Sequence, residues 1–326
     1  MRRRSRSRRA LVLFAVACAL CAVAAAGQNG VRARDDQRAA RRGAVRSVTI
    51  PVVISVPPVR ERGSEELRPV GLTVREDGER EEILATRSEA EHAPLYLAVF
   101  VQDDLIPPAS NEIATLANFI RRLPEGSYVM VGYLRVGSVQ IRQKFTSDLE
   151  RAAKALRIPA GTPTAGPYNP YLSLVEGMRR FQSQPLGRRA VLAVTDGLDI
   201  SRGVENSLAS QSTDLQRAVG EAQRRGVAVY SIFTPTANTS NNLTLVGNAQ
   251  GALARLSDET GGRAFFQGTG APVSFDPFLR ELSDRLDKQI ALTYLSTHAD
   301  KGFHKINLEA ALEGTQLAYP AGYTRK

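Results

Sequence analysis

A doubly wound α/β fold, built on a mostly parallel sheet and joined by a small β unit from both ends of the chain, is what this sequence predicts. Apolar runs of strand length alternate with segments of helical spacing through the middle of the chain, the signature of repeated strand-helix-strand units. Both ends have β character and lack helices to cover it, and glycine or proline punctuates most junctions. With 326 residues, 43% hydrophobic and 23% charged, the chain is long enough to bury a sizeable core.

Residues 1–26 have the parts of a secretory signal: Arg2, Arg3, Arg4, Arg6, Arg8 and Arg9 precede an apolar run, Ala10 to Ala26, with small residues at Ala24 and Ala26. Cleavage after Ala26 is expected, with export to the periplasm, the envelope or the medium. Ser7-Arg8-Arg9-Ala10-Leu11-Val12 also resembles a twin-arginine signal, so the route stays open between the two export systems, as do an uncleaved anchor and acylation at Cys18 or Cys21. No other segment approaches the length of a membrane-spanning helix, so the mature protein is not expected to be an integral membrane protein. The whole-chain charge of +10 falls to +4 without the six signal arginines, and with no Trp and no aromatic-interleaved basic groove, nucleic acid is not an expected partner. Both cysteines leave with the signal, which removes disulfides and thiolate chemistry.

Residues 27–46 read as a linker and 47–90 as an N-terminal β unit. Val48, Ile50, Val52, Ile54 and Val56 alternate with less apolar residues as in a half-buried strand, and Pro51 places it at a sheet edge. After a polar loop from Arg60 to Arg68, Asp77-Gly78 is a hairpin turn between Gly71–Glu76 and Glu79–Ala85.

Residues 94–288 read as the α/β domain. Leu95 to Val101 is a buried parallel strand, Asn111 to Leu123 a helix, and Tyr128–Leu134 and Val139–Phe145 a hairpin. Ser147 is the expected cap of a helix from Asp148 to Leu156, followed by a Gly/Pro/Thr loop, Pro159 to Pro170. Helices are expected at Tyr171–Phe181, Thr213–Arg225, Ala249–Thr260 and Pro277–Lys288, and strands at Ala190–Thr195, Val227–Phe233 and Arg263–Phe266. Residues 289–326 return to strands, Ile290–Thr297, Lys305–Ala310 and Leu317–Tyr319, expected to pack on the N-terminal β unit.

In an open α/β sheet, ligands bind beyond the carboxyl ends of the strands. Gln102-Asp103-Asp104, Thr162 and Thr164, and Thr195-Asp196-Gly197-Leu198-Asp199-Ile200-Ser201 gather there, and their oxygens suit a hard divalent cation. Enzyme signatures are missing: there is no Gly-x-Ser-x-Gly elbow, no phosphate-binding loop and no His-Glu-x-x-His. His92, His298 and His304 lie away from that edge and read as surface or β-unit histidines. Adjacent acids at a strand end, Asp103 and Asp104, point in different directions and make a poor acid/base pair.

Val191-Leu192-Ala193-Val194-Thr195-Asp196-Gly197 resembles the third metal-site motif of von Willebrand factor A domains. The hairpin from Gly71 to Ile83, Leu123-Pro124-Glu125-Gly126, Phe145-Thr146-Ser147-Asp148, Leu256 to Arg263, and Gly302-Phe303-His304-Lys305-Ile306 with Gly322-Tyr323 resemble landmarks of a bacterial family of secreted proteins related to it. The resemblance implies a six-stranded Rossmann-like sheet with helices on both faces. It also implies a Mg²⁺ site built from Asp-x-Ser-x-Ser, a middle-loop Thr and the Asp of Thr-Asp-Gly, completed by a carboxylate of a protein ligand. Here Asp103, Asp104, Thr164 and Asp196 are the candidate ligands, but the two serine positions are Leu105 and Pro107. Any Mg²⁺ is therefore expected to be held weakly. The expected function is non-catalytic protein binding through the carboxyl-edge loops, with a partner the sequence does not name. The alternative is an envelope scaffold that works through the β unit and keeps only a vestige of the metal site.

Overall fold

The computed structural model describes residues 46–55, 71–88, 93–161, 169–185 and 188–325. The expected signal, most of the expected linker, the Arg60–Arg68 loop, His92, Thr162 and Thr164 lie outside them. Strands β4 (Leu95–Gln102), β5 (Tyr128–Arg135), β6 (Ser138–Thr146), β7 (Arg188–Thr195), β8 (Val227–Phe233) and β9 (Ala264–Phe265) form one six-stranded sheet. Its order is β6-β5-β4-β7-β8-β9, parallel except for β6, which returns antiparallel beside β5 after a tight turn at Gly137.

Alternate residues of β4 enter different cores, as strands covered on both faces must. Leu95, Leu97, Val99 and Val101 pack with helices α2 (Ile113–Arg121), α3 (Leu149–Lys154) and α7 (Asp276–Asp287). Tyr96, Ala98 and Phe100 pack with α4 (Pro170–Met178), α5 (Thr213–Arg225) and α6 (Leu243–Glu259). One further short helix, α1 (Pro108–Asn111), follows β4. This is the doubly wound arrangement expected from the alternation of apolar runs.

Several elements sit where the sequence places them for local reasons. Helix α5 runs from Thr213 to Arg225 because the Ser212 hydroxyl accepts the Leu215 N–H and Gly226 ends it in a left-handed conformation. Other boundaries differ. The cap of α3 is Asp148, whose carboxylate accepts the Arg151 N–H, and not Ser147. Helix α6 starts at Leu243, six residues before the expected Ala249, because Asn242 caps it and Leu245 and Val246 already belong to its buried face.

The seven-stranded second sheet has the order β12-β1-β10-β3-β2-β11-β13. It joins β1 (Arg46–Ser55), β2 (Leu72–Glu76) and β3 (Glu79–Ser88) with β10 (Gln289–Ser296), β11 (Gly302–Ala310), β12 (Gln316–Ala318) and β13 (Gly322–Arg325). Strand β1 begins one residue inside the stretch read as linker. Both ends of the chain thus contribute strands to one sheet: Val74 sits opposite Leu308, and Val53 opposite Ala318. Strand β12 covers only Val53–Ser55, which leaves the stretch around Pro51 at an edge. Asp77 and Gly78 both have positive φ, the backbone of the hairpin turn their sequence predicts. Strand β13 adds to the expected elements; at four residues it is too short to show a period.

Both sheets belong to a unit spanning Val48–Tyr294 and Asp300–Lys326; the extreme residues of β1 and β10 fall outside it. Strand β6 forms one edge of the parallel sheet. There the Val139 N–H donates to the Glu176 carboxylate (3.0 Å), and the Gln143 side chain donates to the Lys144 carbonyl (2.9 Å).

Candidate functional site

The parallel strands all end at one edge, so the segments after β4, β5, β7, β8 and β9 meet there, with the stretch that follows α3. Gln102, the last residue of β4, is fully buried and ties two strand ends together. Its carbonyl oxygen accepts the Thr195 hydroxyl and the Asp196 N–H (2.9 Å), and its amide donates to Asp104 Oδ1 (2.9 Å). Beyond β7, Asp196 Oδ1 accepts the Leu198 N–H (3.1 Å), and Oδ2 accepts the Thr236 hydroxyl (2.7 Å) from the loop after β8. The Tyr171 hydroxyl donates to the Gly197 carbonyl (2.5 Å), locking this turn to α4. Asp199 accepts the Ser201 N–H and hydroxyl and the Ser212 hydroxyl, which makes it a turn-forming residue.

Asp103 has a different set of partners. Arg157 grips it bidentately, Nη1 to Oδ1 at 2.7 Å and Nη2 to Oδ2 at 2.9 Å. The Ala160 N–H adds a bond to Oδ1 (3.0 Å), and Arg135 Nε lies 3.2 Å from Oδ2. Oδ1 thus accepts two hydrogen bonds and Oδ2 one, with the Arg135 guanidinium as an ion-pair partner beside Oδ2. Burial raises the Asp103 pKa, but the Arg157 and Ala160 hydrogen bonds and the two guanidinium charges outweigh it, so the net shift is downward. Asp104 is shifted up by burial and by the Asp103 charge, against the Gln102 hydrogen bond. Burial pushes Asp196 up to about 7, with Asp104 adding to it and the Leu198 and Thr236 hydrogen bonds opposing it.

Of the candidate metal ligands, Asp103, Asp104 and Asp196 thus come to one edge, and Thr164 lies outside the described residues. Asp104 and Asp196 retain acceptor positions; both oxygens of Asp103 are held by Arg157. Leu105, at one of the expected serine positions, is turned into the apolar core, and Pro107 leads into α1. Arg157 and Gln102, the two residues that organise the edge, carry no local motif. The only sequence signal for Arg157 is indirect: an aspartate that has lost its serine partners needs another source of positive charge or hydrogen bonds.

The loops of this edge also carry exposed apolar side chains. Among the described residues, eight of the ten large apolar side chains that are exposed lie on this rim. Val136 is in the β5–β6 turn, Ile158 follows α3, and Leu172 is in the first turn of α4. Val204 and Leu208 follow β7, Leu243 opens α6, and Phe266 and Val273 follow β9. Only Leu84 and Phe303 lie elsewhere, on the second sheet.

A second cluster has no motif to announce it. In the seven-stranded sheet Glu76, Asp77 and His304 bring ligand atoms within 4.8 Å of one another. His304 Nδ1 lies 2.8 Å from Asp77 Oδ2 and Nε2 lies 2.8 Å from the Asp300 carbonyl. An aspartate oxygen and a carbonyl, both acceptors, face the two ring nitrogens, an arrangement that favours the imidazolium form. The Lys305 N–H donates to Asp77 Oδ1 (2.8 Å), and the Tyr323 hydroxyl donates to Glu76 (2.9 Å). The cluster is a clamp across β2, β11 and β13.

No family model matches the chain, and no curated protein matches it in sequence. Solved structures match in shape. BatB from Bacteroides thetaiotaomicron is 13% identical with a TM-score of 0.41, over 60% of this chain and 98% of that one. An aerotolerance-related membrane protein from Bacteroides fragilis is 12% identical with a TM-score of 0.40, over 60% and 99%. A von Willebrand factor type A protein from Catenulispora acidiphila is 10% identical with a TM-score of 0.43, over 75% and 74%. With its one antiparallel edge strand, its two helical layers and its polar loops gathered at the carboxyl edge, the six-stranded sheet has a von Willebrand A-like fold accompanied by an additional antiparallel sheet.

Proposed function

We propose that this chain is an exported, non-catalytic protein-binding module that docks its partner on the carboxyl-edge loops of the α/β domain, residues 94–288. The observation that carries this reading is the concentration of exposed apolar side chains on that one rim. Exposed apolar residues scattered singly need no explanation, whereas a set gathered on loops around a rigid sheet edge marks an interaction surface. The rest of the reading comes from the sequence. The cationic start and apolar run of residues 1–26 support export, and a mature N-terminus at Gly27 would check it. The missing serine oxygens at Leu105 and Pro107 support weak Mg²⁺ binding. The strands of 47–90 and 289–326 serve as a supporting β unit.

Photo-crosslinking tests the docking surface. A crosslinking side chain is placed at Leu243 or Val273 on the rim, or at Leu84 or Phe303 on the second sheet, and the chain is illuminated in intact cells. Discrete heteromeric products from the rim positions alone are expected. Products from Leu84 and Phe303 alone would transfer the function to the β unit and make the protein a scaffold. No product at any of the four would sink protein binding.

A further inference from the structure

We propose that the guanidinium of Arg157 is the resident cation of the carboxyl edge. It takes on Asp103 the place that the metal-site pattern gives to Mg²⁺, and it holds the loops in order without an ion. The donor set is the first ground. Arg157 holds both Asp103 oxygens, the Ala160 N–H adds a second bond to Oδ1 and the Arg135 guanidinium flanks Oδ2, so a divalent ion reaches this carboxylate only by displacing part of that set. An ion arriving there would also face two guanidinium charges.

The second ground is that Arg157 is itself built into place. Its guanidinium lies 4.1 Å from the centre of the Tyr133 ring, and its Nη1 also donates to the Ile158 carbonyl (2.9 Å). Its main chain is pinned from both sides: the Arg157 N–H donates to the Tyr133 hydroxyl oxygen (2.6 Å), and that hydroxyl donates to the Arg157 carbonyl (2.5 Å). Gly161 N–H closes the turn on the Asp103 carbonyl (3.0 Å). Planar, bidentate and stacked, this is a site shaped for arginine, and lysine would not reproduce it.

The test needs no partner protein, so its result is independent of what docks on the rim. Thermal midpoints of the full mature chain are measured with EDTA and across Mg²⁺ and Mn²⁺ titrations to about 10 mM, where a ligand of the folded state raises the midpoint once it exceeds its Kd. A flat response is expected for both metals. Asp103→Asn, Arg157→Met and the double variant then form a cycle in urea. Each single variant is expected to raise the unfolding constant about tenfold or more, and the double variant no more than the worse single. A midpoint that climbs with either metal in the unmodified chain would overturn the proposal, as would losses that simply add in the double variant. Should a variant fail to fold, the metal titration of the unmodified chain decides alone.

Discussion

Replacing one hydrogen by a methyl group should have opposite effects at the end and in the middle of the same helix. At the end of α6, a Cβ on Gly262 would stand 2.0 Å from the Val229 carbonyl oxygen and 2.5 Å from its carbon, both backbone atoms of β8. Real Cβ contacts stay beyond 3.0 Å, so Gly262→Ala must push the helix end and the strand apart by about 1 Å. That joint is held by the Val229 N–H on the Thr260 hydroxyl (3.0 Å), the Ser231 N–H on the Arg263 carbonyl (3.0 Å) and the Ser231–Ser257 hydroxyl pair (3.1 Å). Stretching three such bonds at roughly 1 kcal/mol each gives a loss of about 3 kcal/mol. Gly251, in the exposed middle of α6, has nothing within 4 Å of an added methyl, and Gly251→Ala should gain about 1 kcal/mol from helix propensity. The two variants should differ by about 4 kcal/mol, nearly a thousandfold in the unfolding constant. Urea unfolding followed by circular dichroism measures both midpoints on one baseline. A Gly262→Ala midpoint equal to that of the unmodified protein would refute the close packing of α6 on β8, and a lowered Gly251→Ala midpoint would refute the open helix face.

Further expectations concern the two polar clusters. Tyr171→Phe removes the buried hydroxyl that donates to the Gly197 carbonyl and should cost about 1 to 2 kcal/mol, read as a lower urea midpoint; an unchanged midpoint would show that this bond does not hold the loop. At His304, burial lowers the imidazole pKa, but the Asp77 and Asp300 hydrogen bonds and the Glu76 and Asp77 charges outweigh it, leaving the folded value above the ordinary 6.5. The folded state then binds the proton more tightly than the unfolded chain. Its contribution is fully present below pH 6.5 and is lost as pH rises through the raised folded value. Unfolding midpoints across that window should fall in the unmodified protein and flatten in His304→Gln; equal slopes would remove His304 from the account.

The main elements of the α/β domain were legible because burial on both faces leaves a plain mark: the unbroken apolar run of β4, or α5 between Ser212 and Gly226. What escaped depends on distance in sequence or on short elements. Nothing near Asp103 announces that a guanidinium fifty-four residues away will close on it. The first turns of α6 carry its buried face already, at Leu245 and Val246, but Gly247 and the polar run before Leu243 read as part of the preceding loop. His304 reads as an ordinary β-unit histidine, since the turn that delivers Asp77 to it is visible in the sequence but the pairing of β2 with β11 is not. At the candidate site the acids stand in plain view along the chain, while the partners that decide their chemistry come from the fold.

The margins of both sheets limit how this molecule can meet copies of itself. A strand with an open flank is a template, and a second molecule can lay its own strand there and offer a fresh flank to a third. Here the long margin, β6, spends its Val139 N–H on Glu176 and its Lys144 carbonyl on Gln143; β9, β12 and β13 run for two, three and four residues, and the flank of β1 that β12 leaves uncovered carries Pro51, which has no N–H to offer. Growth by strand addition has little to build on. Contact through loops ends when one partner is seated, whereas contact along an open strand hands itself on, and the design of these margins favours the kind that ends.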